Sequence, residues 1–380
     1  MKTIGIIVNG ATGRICSTQH LRGALVPIRD EGGLLVGDER VMPRLLLVGR
    51  DEDRLGKVAR ELGIDEWTTD LDAALADPSF EVFFDAAATS QRPQVLRKAI
   101  AAGKHIYTEK PVAPSVTEGL ALLDLMRKAG IRHGCVEDKL FLPGFRKLAY
   151  LRDIGFFGRV ISFRLEFGWW VFDGENTAAQ RPSWNYRSTG GGGLTLDMYP
   201  HWRYLIEGIL GPVERLVSAN RTAMPRRIDE SGQAYDVDVD DTASNILEMQ
   251  SGATGSIQSS WATRVRRDDL VTFQVDGTHG SAVATLHRCH VQSLAETPKL
   301  PGFNANVDIK ADYREGWGEV GDLEPYKNAY RMGWEAYLRH LSIGTPPAAT
   351  FEDGIRDVQF AEACNLSARE KRWIEMEALG

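Results

Sequence analysis

Lys110 stands in the motif Glu-Lys-Pro at residues 109–111, directly after the short segment HIYT. That segment is typical of a β-strand, and in an open α/β sheet ligands bind outside the carboxyl ends of the strands. Pro111 has no amide donor and restricts Lys110 to an extended backbone, so the turn directs the lysine side chain. A partly desolvated ammonium here can hold a substrate hydroxyl and ease the loss of its proton as a hydride departs. A surface lysine after a strand is the alternative.

Asp197 and His201 form a second candidate pair, in the segment GGGGLTLDMYPHW. Residues four apart lie on one face of a helix, where a carboxylate can orient an imidazole and stabilise its protonated form. A histidine held in this way is a natural general base for removing a proton from an alcohol. The alternative is that Asp197 caps a helix and His201 is a core histidine with satisfied hydrogen bonds. Combined with Lys110, the pair predicts acid–base chemistry at a carbinol.

Alternating strands and helices in residues 1–140 must position the first motif. Apolar strand segments such as TIGIIVNG, RLLLVGR, FEVFFD and KHIYTE are separated by helical segments such as SVTEGLALLDLMRKAG. Strands buried on both faces that alternate with helices are typical of a doubly wound parallel sheet. Residues 1–140 are therefore predicted to form a Rossmann-type domain.

Longer segments of alternating polarity follow in residues 141–380. RVISFRLEFGWWVF, ASNILEMQSGATGSIQSSWATRV and DLVTFQVDGTHGSAVATLHR are joined by glycine turns, which predicts a large, mostly antiparallel open sheet. The closing segment FEDGIRDVQFAEACNLSAREKR predicts a terminal helix that packs back toward the first domain. We expect an α/β chain whose second, α+β domain binds substrate and forms oligomers.

The first strand runs into the glycine turn NGATGRIC. A turn of this kind between a strand and a helix lets backbone amides approach a pyrophosphate at the positive end of the helix. The spacing is G-x-x-G with Cys16 in the place of a third glycine, so it is a variant of the dinucleotide fingerprint, and a plain tight turn is the alternative. The residues predicted to hold the dinucleotide here are Gly10, Ala11, Thr12, Gly13, Arg14 and Ile15.

The second strand ends in Gly49-Arg50, without the acid that normally hydrogen-bonds the adenosine ribose of NAD. An arginine at this point can pair with a 2′-phosphate, which favours NADP over NAD as the cofactor. The alternative is that Arg50 stacks on the adenine or lies in water.

The composition excludes several classes of function. Of the 380 residues, 43% are hydrophobic and 26% charged, and the net charge of −7 without a long basic run argues against a nucleic-acid surface. Four cysteines without CxxC spacing favour the reducing cytoplasm. The N-terminal segment does not resemble a signal peptide, and no apolar run reaches the roughly 18 residues of a membrane span. We expect a cytoplasmic protein that binds no nucleic acid and no membrane.

Two segments contain possible metal ligands. His287, Cys289 and His290 in HRCH fit the alternation of a strand more simply than a metal site. DVDVDD at residues 236–241 lacks the glycine that an EF-hand loop requires at its sixth position. No metal is expected.

The motifs AGKHIYTEKPVAPS and GGGGLTLDMYPHW, together with DDTASNILEMQSGATGSIQSSW, resemble the GFO/IDH/MocA family of NAD(P)-dependent oxidoreductases. The resemblance implies that Lys110 is the catalytic lysine, that Asp197 and His201 handle the proton, and that Glu109 contacts the nicotinamide ribose. It also implies a homo-oligomer, a dimer or tetramer, formed through the exposed sheet face. The residues implied to form part of the cofactor wall are Ala88, Thr89 and Ser90.

The chain departs from the common family pattern at positions expected to face the substrate. The family often has an acid three residues after the histidine, where this chain has Tyr204. It often has asparagine and arginine where Asp138 and Lys139 stand, and an asparagine–histidine pair where Gln91 and Arg92 stand. These differences bear on the substrate and leave the hydride chemistry unchanged.

Aromatic side chains cluster before and within the second motif, and aromatic faces suit the C–H face of a sugar or cyclitol ring. Core packing is the alternative for each of them. The clustered aromatic residues are Trp169, Trp170, Trp184, Tyr186 and Trp202. Arg181 and Arg187 in RPSWNYR are candidate ligands for hydroxyl or carboxylate groups, or else surface ion-pair partners. The predicted substrate-binding residues are Lys110, Asp138, Trp170, Trp184, Tyr186, Asp197 and His201.

These residues predict an oxidoreductase that moves a hydride between NADP(H) or NAD(H) and a secondary hydroxyl of a sugar, sugar derivative or cyclitol. Lys110 would polarise the oxygen, and His201, oriented by Asp197, would take or return the proton. Two alternatives stay open. One is a glycoside-cleaving enzyme that works by transient oxidation and elimination, and the other is a non-enzymatic regulator that senses the dinucleotide.

Overall fold

The computed structural model describes residues 1–264, 269–299 and 314–379. Its first sheet consists of β1 (Lys2–Asn9), β2 (Leu34–Val36), β3 (Glu39–Val48), β4 (Trp67–Thr68), β5 (Val82–Asp85), β6 (His105–Thr108) and β7 (His133–Cys135). The strand order is β2-β3-β1-β5-β6-β7, with β4 paired to β3. Neighbouring strands are parallel except β2 with β3, so the carboxyl ends of β1, β5 and β6 meet at one edge.

Helices cover both faces of this sheet, which explains why its central strands are apolar throughout. They are a π-helix (Cys16–Leu25) continued by α1 (Val26–Asp30), then α2 (Glu52–Leu62), α3 (Leu71–Ala76), α4 (Arg92–Ala101) and α5 (Val116–Ala129). Local signals set the helix ends. Asp51 accepts a hydrogen bond from the Arg54 amide at the start of α2, and Gly63 ends the helix in a left-handed conformation.

A second sheet of nine strands follows, mostly antiparallel, with β8 and β13 as its parallel pair. Its strands are β8 (Val160–Gly168), β9 (Val213–Arg221), β12 (Thr242–Met249), β13 (Thr254–Ser260), β14 (Val271–Gly277), β15 (Gly280–Ala284), β16 (Cys289–Ser293), β17 (Gly318–Glu319) and β18 (Ile374–Glu375), while β10 (Arg226–Ile228) and β11 (Ala234–Asp236) form a separate hairpin. One face packs on α6 (Pro143–Asp153) and α7 (Leu194–Leu210). The observed architecture confirms the fold class expected from the sequence.

The last two helices, α8 (Ala329–Ile343) and α9 (Phe351–Glu370), return to the first domain. Trp334 and Leu338 of α8 are buried in the same hydrophobic core as β1 and β3, and Ile355 of α9 packs with residues of α5. The terminal helix was expected to pack back, but α8 was not foreseen as part of the first core. In space, the N-terminal unit therefore includes chain from well beyond residue 140.

Candidate active site

Lys110 follows β6 and reaches across to the second domain. Its ammonium donates hydrogen bonds to the backbone oxygen of Asp197 at 2.7 Å and to the Asp197 Oδ1 at 2.9 Å. The peptide bond between Lys110 and Pro111 is cis. Because both side chains keep less than a fifth of their surface exposed, this ion pair lies in a semi-enclosed crevice between the two domains.

Asp197 lies in the first turn of α7 and pairs with two cations. Besides Lys110, the guanidinium of Arg181 contacts its second carboxylate oxygen. Burial raises the pKa of Asp197, but the charges of Arg181 and Lys110 outweigh it and hold that pKa at about 2. Asp197 is therefore a fixed anion at neutral pH, and it orients the lysine ammonium.

The glycine run before α7 sets the start of that helix. Gly193 has a φ of 121°, and a Cβ added there would lie 2.8 Å from a carboxylate oxygen of Asp240. The same carboxylate accepts from the Thr195 amide at 2.9 Å. This close approach requires glycine and anchors the first turn of the helix that carries the site.

His201 lies one turn after Asp197 on the same helix and is buried. Its Nδ1 is 2.7 Å from the Tyr204 hydroxyl, and the Tyr204 oxygen accepts the Lys139 amide at 3.2 Å. Burial lowers the pKa of His201 well below its usual 6.5, and the charges of Lys139, Lys110 and Arg181 lower it further. The imidazole is therefore neutral at physiological pH and able to take up a proton.

The sequence predicted that Asp197 orients His201, but in the structure the two side chains have different partners. The Asp197 carboxylate is held by Lys110 and Arg181, whereas the described neighbours of His201 Nδ1 are the Tyr204 hydroxyl and, at 3.7 Å, an oxygen of Asp138. Two cations attract a carboxylate more strongly than a neutral imidazole does, and this explains the difference.

Arg92 contacts the Glu-Lys-Pro loop from the buried side of the sheet edge. Its guanidinium donates to Asp85 at 2.7 Å, to the Ala87 oxygen at 2.8 Å and to the Pro111 oxygen. Arg92 is 2% exposed, so the expectation that Gln91 and Arg92 both face the substrate is wrong for Arg92. A buried guanidinium needs partners for its five N–H groups, and here it links the end of β5 to the Glu-Lys-Pro loop.

Glu109 is also buried at this sheet edge. One carboxylate oxygen lies 2.7 Å from His20 Nε2, and the other accepts the Lys110 amide at 3.1 Å. Burial raises the pKa of Glu109, but the close contact with His20 and the charges of Lys110 and Arg92 bring it below its usual value. Glu109 is thus an ionised acceptor beside Lys110.

The glycine turn fits a dinucleotide. Gly10 has a φ of 78°, and a Cβ there would lie 2.8 Å from the Ala87 amide nitrogen, so a side chain is excluded. The Gly13 amide donates to the Gly10 oxygen and the Ser17 amide to the Gly13 oxygen, so the turn leads directly into the helix. The N–H groups in the first turn of a helix have no partner within the helix. Cys16 is fully buried, so its side chain packs in the core and does not occupy the turn. This cradle suits the pyrophosphate of NAD(P).

The other predicted cofactor residues lie at the same edge. Ala88, Thr89 and Ser90 form the turn between β5 and α4, next to the Gly10 contact with Ala87. Arg50 is exposed after β3, and the structure describes no hydrogen bond or ion pair for it within residues 1–264, 269–299 and 314–379.

The predicted substrate residues fall into two groups. Trp170 and Trp184 are about half exposed, and Asp138 lies beside His201. Tyr186 is fully buried with its hydroxyl donating to the Phe172 oxygen, so it belongs to the core and offers no surface to a substrate. Trp202 is also fully buried. For Tyr186 and Trp202, core packing, the alternative to sugar binding, is therefore correct.

Within the described residues, no three or more His, Cys, Asp and Glu side chains are grouped so as to hold a metal ion. None of the helices in the same part of the chain is long and apolar enough to cross a membrane.

Comparison with known proteins places these features in one family. Residues 10–135 match the oxidoreductase family model with an NAD-binding Rossmann fold, and residues 145–283 match the GFO/IDH/MocA C-terminal domain. The chain is 44% identical over 378 residues to the D-xylose dehydrogenase of Paenarthrobacter nicotinovorans, covering 98% of this chain and 97% of that one. The chain belongs to the GFO/IDH/MocA family.

More distant members agree with this assignment. The myo-inositol 2-dehydrogenase of Thermotoga maritima is 24% identical over 327 residues, covering 86% of this chain and 89% of that one. A solved levoglucosan dehydrogenase in complex with NADH and levoglucosan has a TM-score of 0.82 at 20% identity over 98% of this chain and 99% of that one, which shows a shared fold. This GFO/IDH/MocA protein is an NAD(P)-dependent oxidoreductase that acts on CH–OH groups, in a family of sugar and cyclitol dehydrogenases.

Two residues at the site of this GFO/IDH/MocA protein were not predicted from the sequence. His20 in the π-helix contacts Glu109 of the Glu-Lys-Pro loop, and Trp334 in α8 donates a hydrogen bond to His20. No local signal identifies them, because a lone histidine in a helical segment and a tryptophan of a late helix look like ordinary core residues. Only the packing of α8 on the first domain brings them together.

Proposed function

We propose that this protein oxidises a ring hydroxyl of a small sugar, with D-xylose as the leading substrate. The 44% identity over the whole chain to a D-xylose dehydrogenase carries the proposal of the sugar. The nicotinamide, when bound, supplies the hydride acceptor. The exposed faces of Trp170 and Trp184 supply flat apolar surface for the C–H face of a sugar ring.

In this proposal Lys110 donates a hydrogen bond to the substrate hydroxyl oxygen. Its ammonium is aimed by Asp197, and its charge stabilises the oxygen as the proton leaves. His201 takes that proton at Nε2, since its Nδ1 is engaged by Tyr204 and its neutral form prevails at neutral pH. In the reverse direction the same nitrogen returns the proton to the carbonyl oxygen.

We further propose that NADP is preferred over NAD. Arg50 is exposed at the end of β3, where the adenosine ribose of a dinucleotide lies in Rossmann domains. The nearest acid, Asp51, caps α2 by accepting the Arg54 amide.

Assay of Lys110→Ala and His201→Ala with D-xylose and each nicotinamide tests the proposal. We expect kcat to fall by about 10²–10⁴-fold in each variant, because each loses one proton-handling group, while the Kd of the cofactor changes little. Reduced cofactor should accumulate in proportion to the sugar oxidised, faster with NADP than with NAD.

Lys128→Ala is the matched control, since Lys128 is exposed and pairs with Asp124 of its own helix, and it should keep full activity. Undiminished turnover in Lys110→Ala and His201→Ala would remove the proposed roles. Sugar release from glycosides without net cofactor reduction would replace the proposed reaction by oxidation and elimination.

A further inference from the structure

His20 is enclosed at the junction of the π-helix, the first sheet and α8. Its side chain is 1% exposed, and its ring lies 4.5 Å from that of Phe84 and 4.9 Å from that of Tyr330. Two polar groups reach it, one on each ring nitrogen. Trp334 Nε1 lies 3.0 Å from Nδ1, and Glu109 Oε1 lies 2.7 Å from Nε2.

The chemistry of these two partners settles where the proton of His20 resides. An indole N–H is a donor only, so the Nδ1 that faces Trp334 must be the unprotonated acceptor. A neutral imidazole then carries its proton on Nε2, and this N–H donates to the Glu109 carboxylate.

We propose that Trp334 and His20 are positioning residues of the cofactor site, which fix the Glu109 carboxylate so that its remaining lone pairs face the nicotinamide ribose. The proposal rests on the contact of Glu109 with the nicotinamide ribose that the family resemblance implies. The Glu109 carboxylate is held at both ends, because its second oxygen accepts the Lys110 amide. Each oxygen has two lone pairs, so both can still accept a ribose hydroxyl.

The same chain of hydrogen bonds connects the cofactor site to a helix from the far end of the sequence. The approach of α8 is permitted by Gly23 of the π-helix, where a Cβ would lie 3.0 Å from the side-chain nitrogen of Asn328, the residue that caps α8. In this proposal, cofactor affinity depends on Trp334, which acts on Glu109 through His20.

Trp334→Phe tests the proposal, because it keeps an aromatic ring in the core and removes the donor together with part of the indole ring, and the His20 tautomer signal reports the donor specifically. Tyr337→Phe is the matched control: it also deletes one buried hydrogen bond of α8, that from the Tyr337 hydroxyl to the Ile106 oxygen, and leaves His20 untouched. Nitrogen NMR of ¹⁵N-histidine protein reports the tautomer, with the His20 signals assigned by their loss in His20→Gln. Fluorescence titration with NADH and NADPH reports cofactor affinity.

We expect the full-length protein to show His20 with a protonated Nε2 and a bare Nδ1, and Trp334→Phe to change the Nδ1 signal. The cofactor Kd should rise about three- to tenfold in Trp334→Phe, as expected for one lost hydrogen bond in a buried chain, with the KM for the sugar unchanged and Tyr337→Phe near normal. A protonated Nδ1, or an unchanged cofactor Kd in Trp334→Phe, would overturn the proposal.

Glu109→Gln separates this proposal from the proposed reaction. If that variant binds the cofactor as tightly as the parent protein, Glu109 has no contact to position and the role of Trp334 and His20 is overturned. The assays of Lys110→Ala and His201→Ala are independent of that result, so they test the proposed hydride chemistry separately.

Discussion

Tyr204 changes what a histidine in this position can do. A carboxylate next to Nδ1 would only accept, and it would stabilise a charged imidazolium. A hydroxyl accepts or donates, and in the structure it lies 2.7 Å from His201 Nδ1 while accepting the Lys139 amide. The hydroxyl can therefore follow either neutral tautomer of His201. This suits a residue that takes a proton in one direction of the reaction and returns it in the other.

Lys139→Met tests the electrostatic control of His201. The Lys139 charge lowers the pKa of His201, so its removal raises that pKa towards the usual 6.5. Since the unprotonated imidazole is the base, the acid limb of kcat/KM for sugar oxidation, which lies below pH 6.5 in the parent protein, should move to higher pH. The measurement is a pH profile of kcat/KM.

Lys128→Met serves as control, because Lys128 is exposed and pairs with Asp124 of its own helix. Its profile should coincide with that of the parent protein. A limb that stays in place in Lys139→Met would show that the Lys139 charge has no part in setting the pKa of His201.

At the scale of elements, the junction of α7 with α9 holds a buried charge cluster. Arg203 of α7 donates to Asp357 of α9 at 2.6 Å and to Glu137 at 3.0 Å. Burial raises the pKa of Asp357 to about 7 despite the charge of Arg203, and burial together with Asp357 raises that of Glu137. One guanidinium cannot neutralise two buried carboxylates, so the pair retains a proton.

Asp357→Asn should make stability less sensitive to pH. The folded-state pKa of Asp357, about 7, lies above the unfolded value of 3.8, so the native state binds more protons between these limits. Its contribution to stability is complete below pH 3.8 and is lost as pH rises through about 7. The Tm of the variant relative to the parent protein should therefore be higher at about pH 7.5 than at about pH 5. Thermal unfolding at both pH values measures this.

The matched control is Asp236→Asn, at an exposed carboxylate of β11. Its Tm relative to the parent protein should be the same at both pH values. An equally constant difference for Asp357→Asn would mean that Asp357 is ionised throughout this range in the folded protein.

The sequence predicted those elements whose signals are local. The strands of the first sheet are apolar and bounded by glycine turns, and the terminal helix was expected where α9 lies. The Glu-Lys-Pro motif and the Asp197–His201 pair were identified because their spacing and their place after a strand or on a helix are visible in the chain. These features allowed the crevice between the two domains to be anticipated.

Other parts depend on tertiary packing and left no local signal. The segment RPSWNYR does not reveal that Tyr186 is buried while Trp184 is exposed. The directions of the two rings are set by short 3₁₀ turns at Ser183–Tyr186 and Ser188–Gly190. The competition for Asp197 between His201 and two cations could not be judged without the position of Arg181. The π-helix likewise carries no sequence signature in this chain.

At the scale of the whole molecule, a C-terminal helix packs into the core of the N-terminal domain. Residues of α8 complete the hydrophobic core that β1 and β3 begin, so the dinucleotide-binding unit is assembled from both ends of the sequence. We expect the first domain to lose stability when α8 is damaged, although α8 lies far from it along the chain. A core shared in this way links the folding of the cofactor site to that of the C-terminal segment.

Leu338→Ala tests this dependence. Leu338 is fully buried in the shared core, so the substitution should lower the free energy of unfolding by about 2–5 kcal/mol through lost burial and the cavity that remains. Urea unfolding followed by far-UV circular dichroism measures the loss, and NADH fluorescence should report release of the cofactor at the same lowered urea concentration. Leu294→Ala, at a leucine that is 65% exposed, should change neither midpoint. Retention of cofactor binding at the parental urea midpoint in Leu338→Ala would show that the first domain is stable without α8.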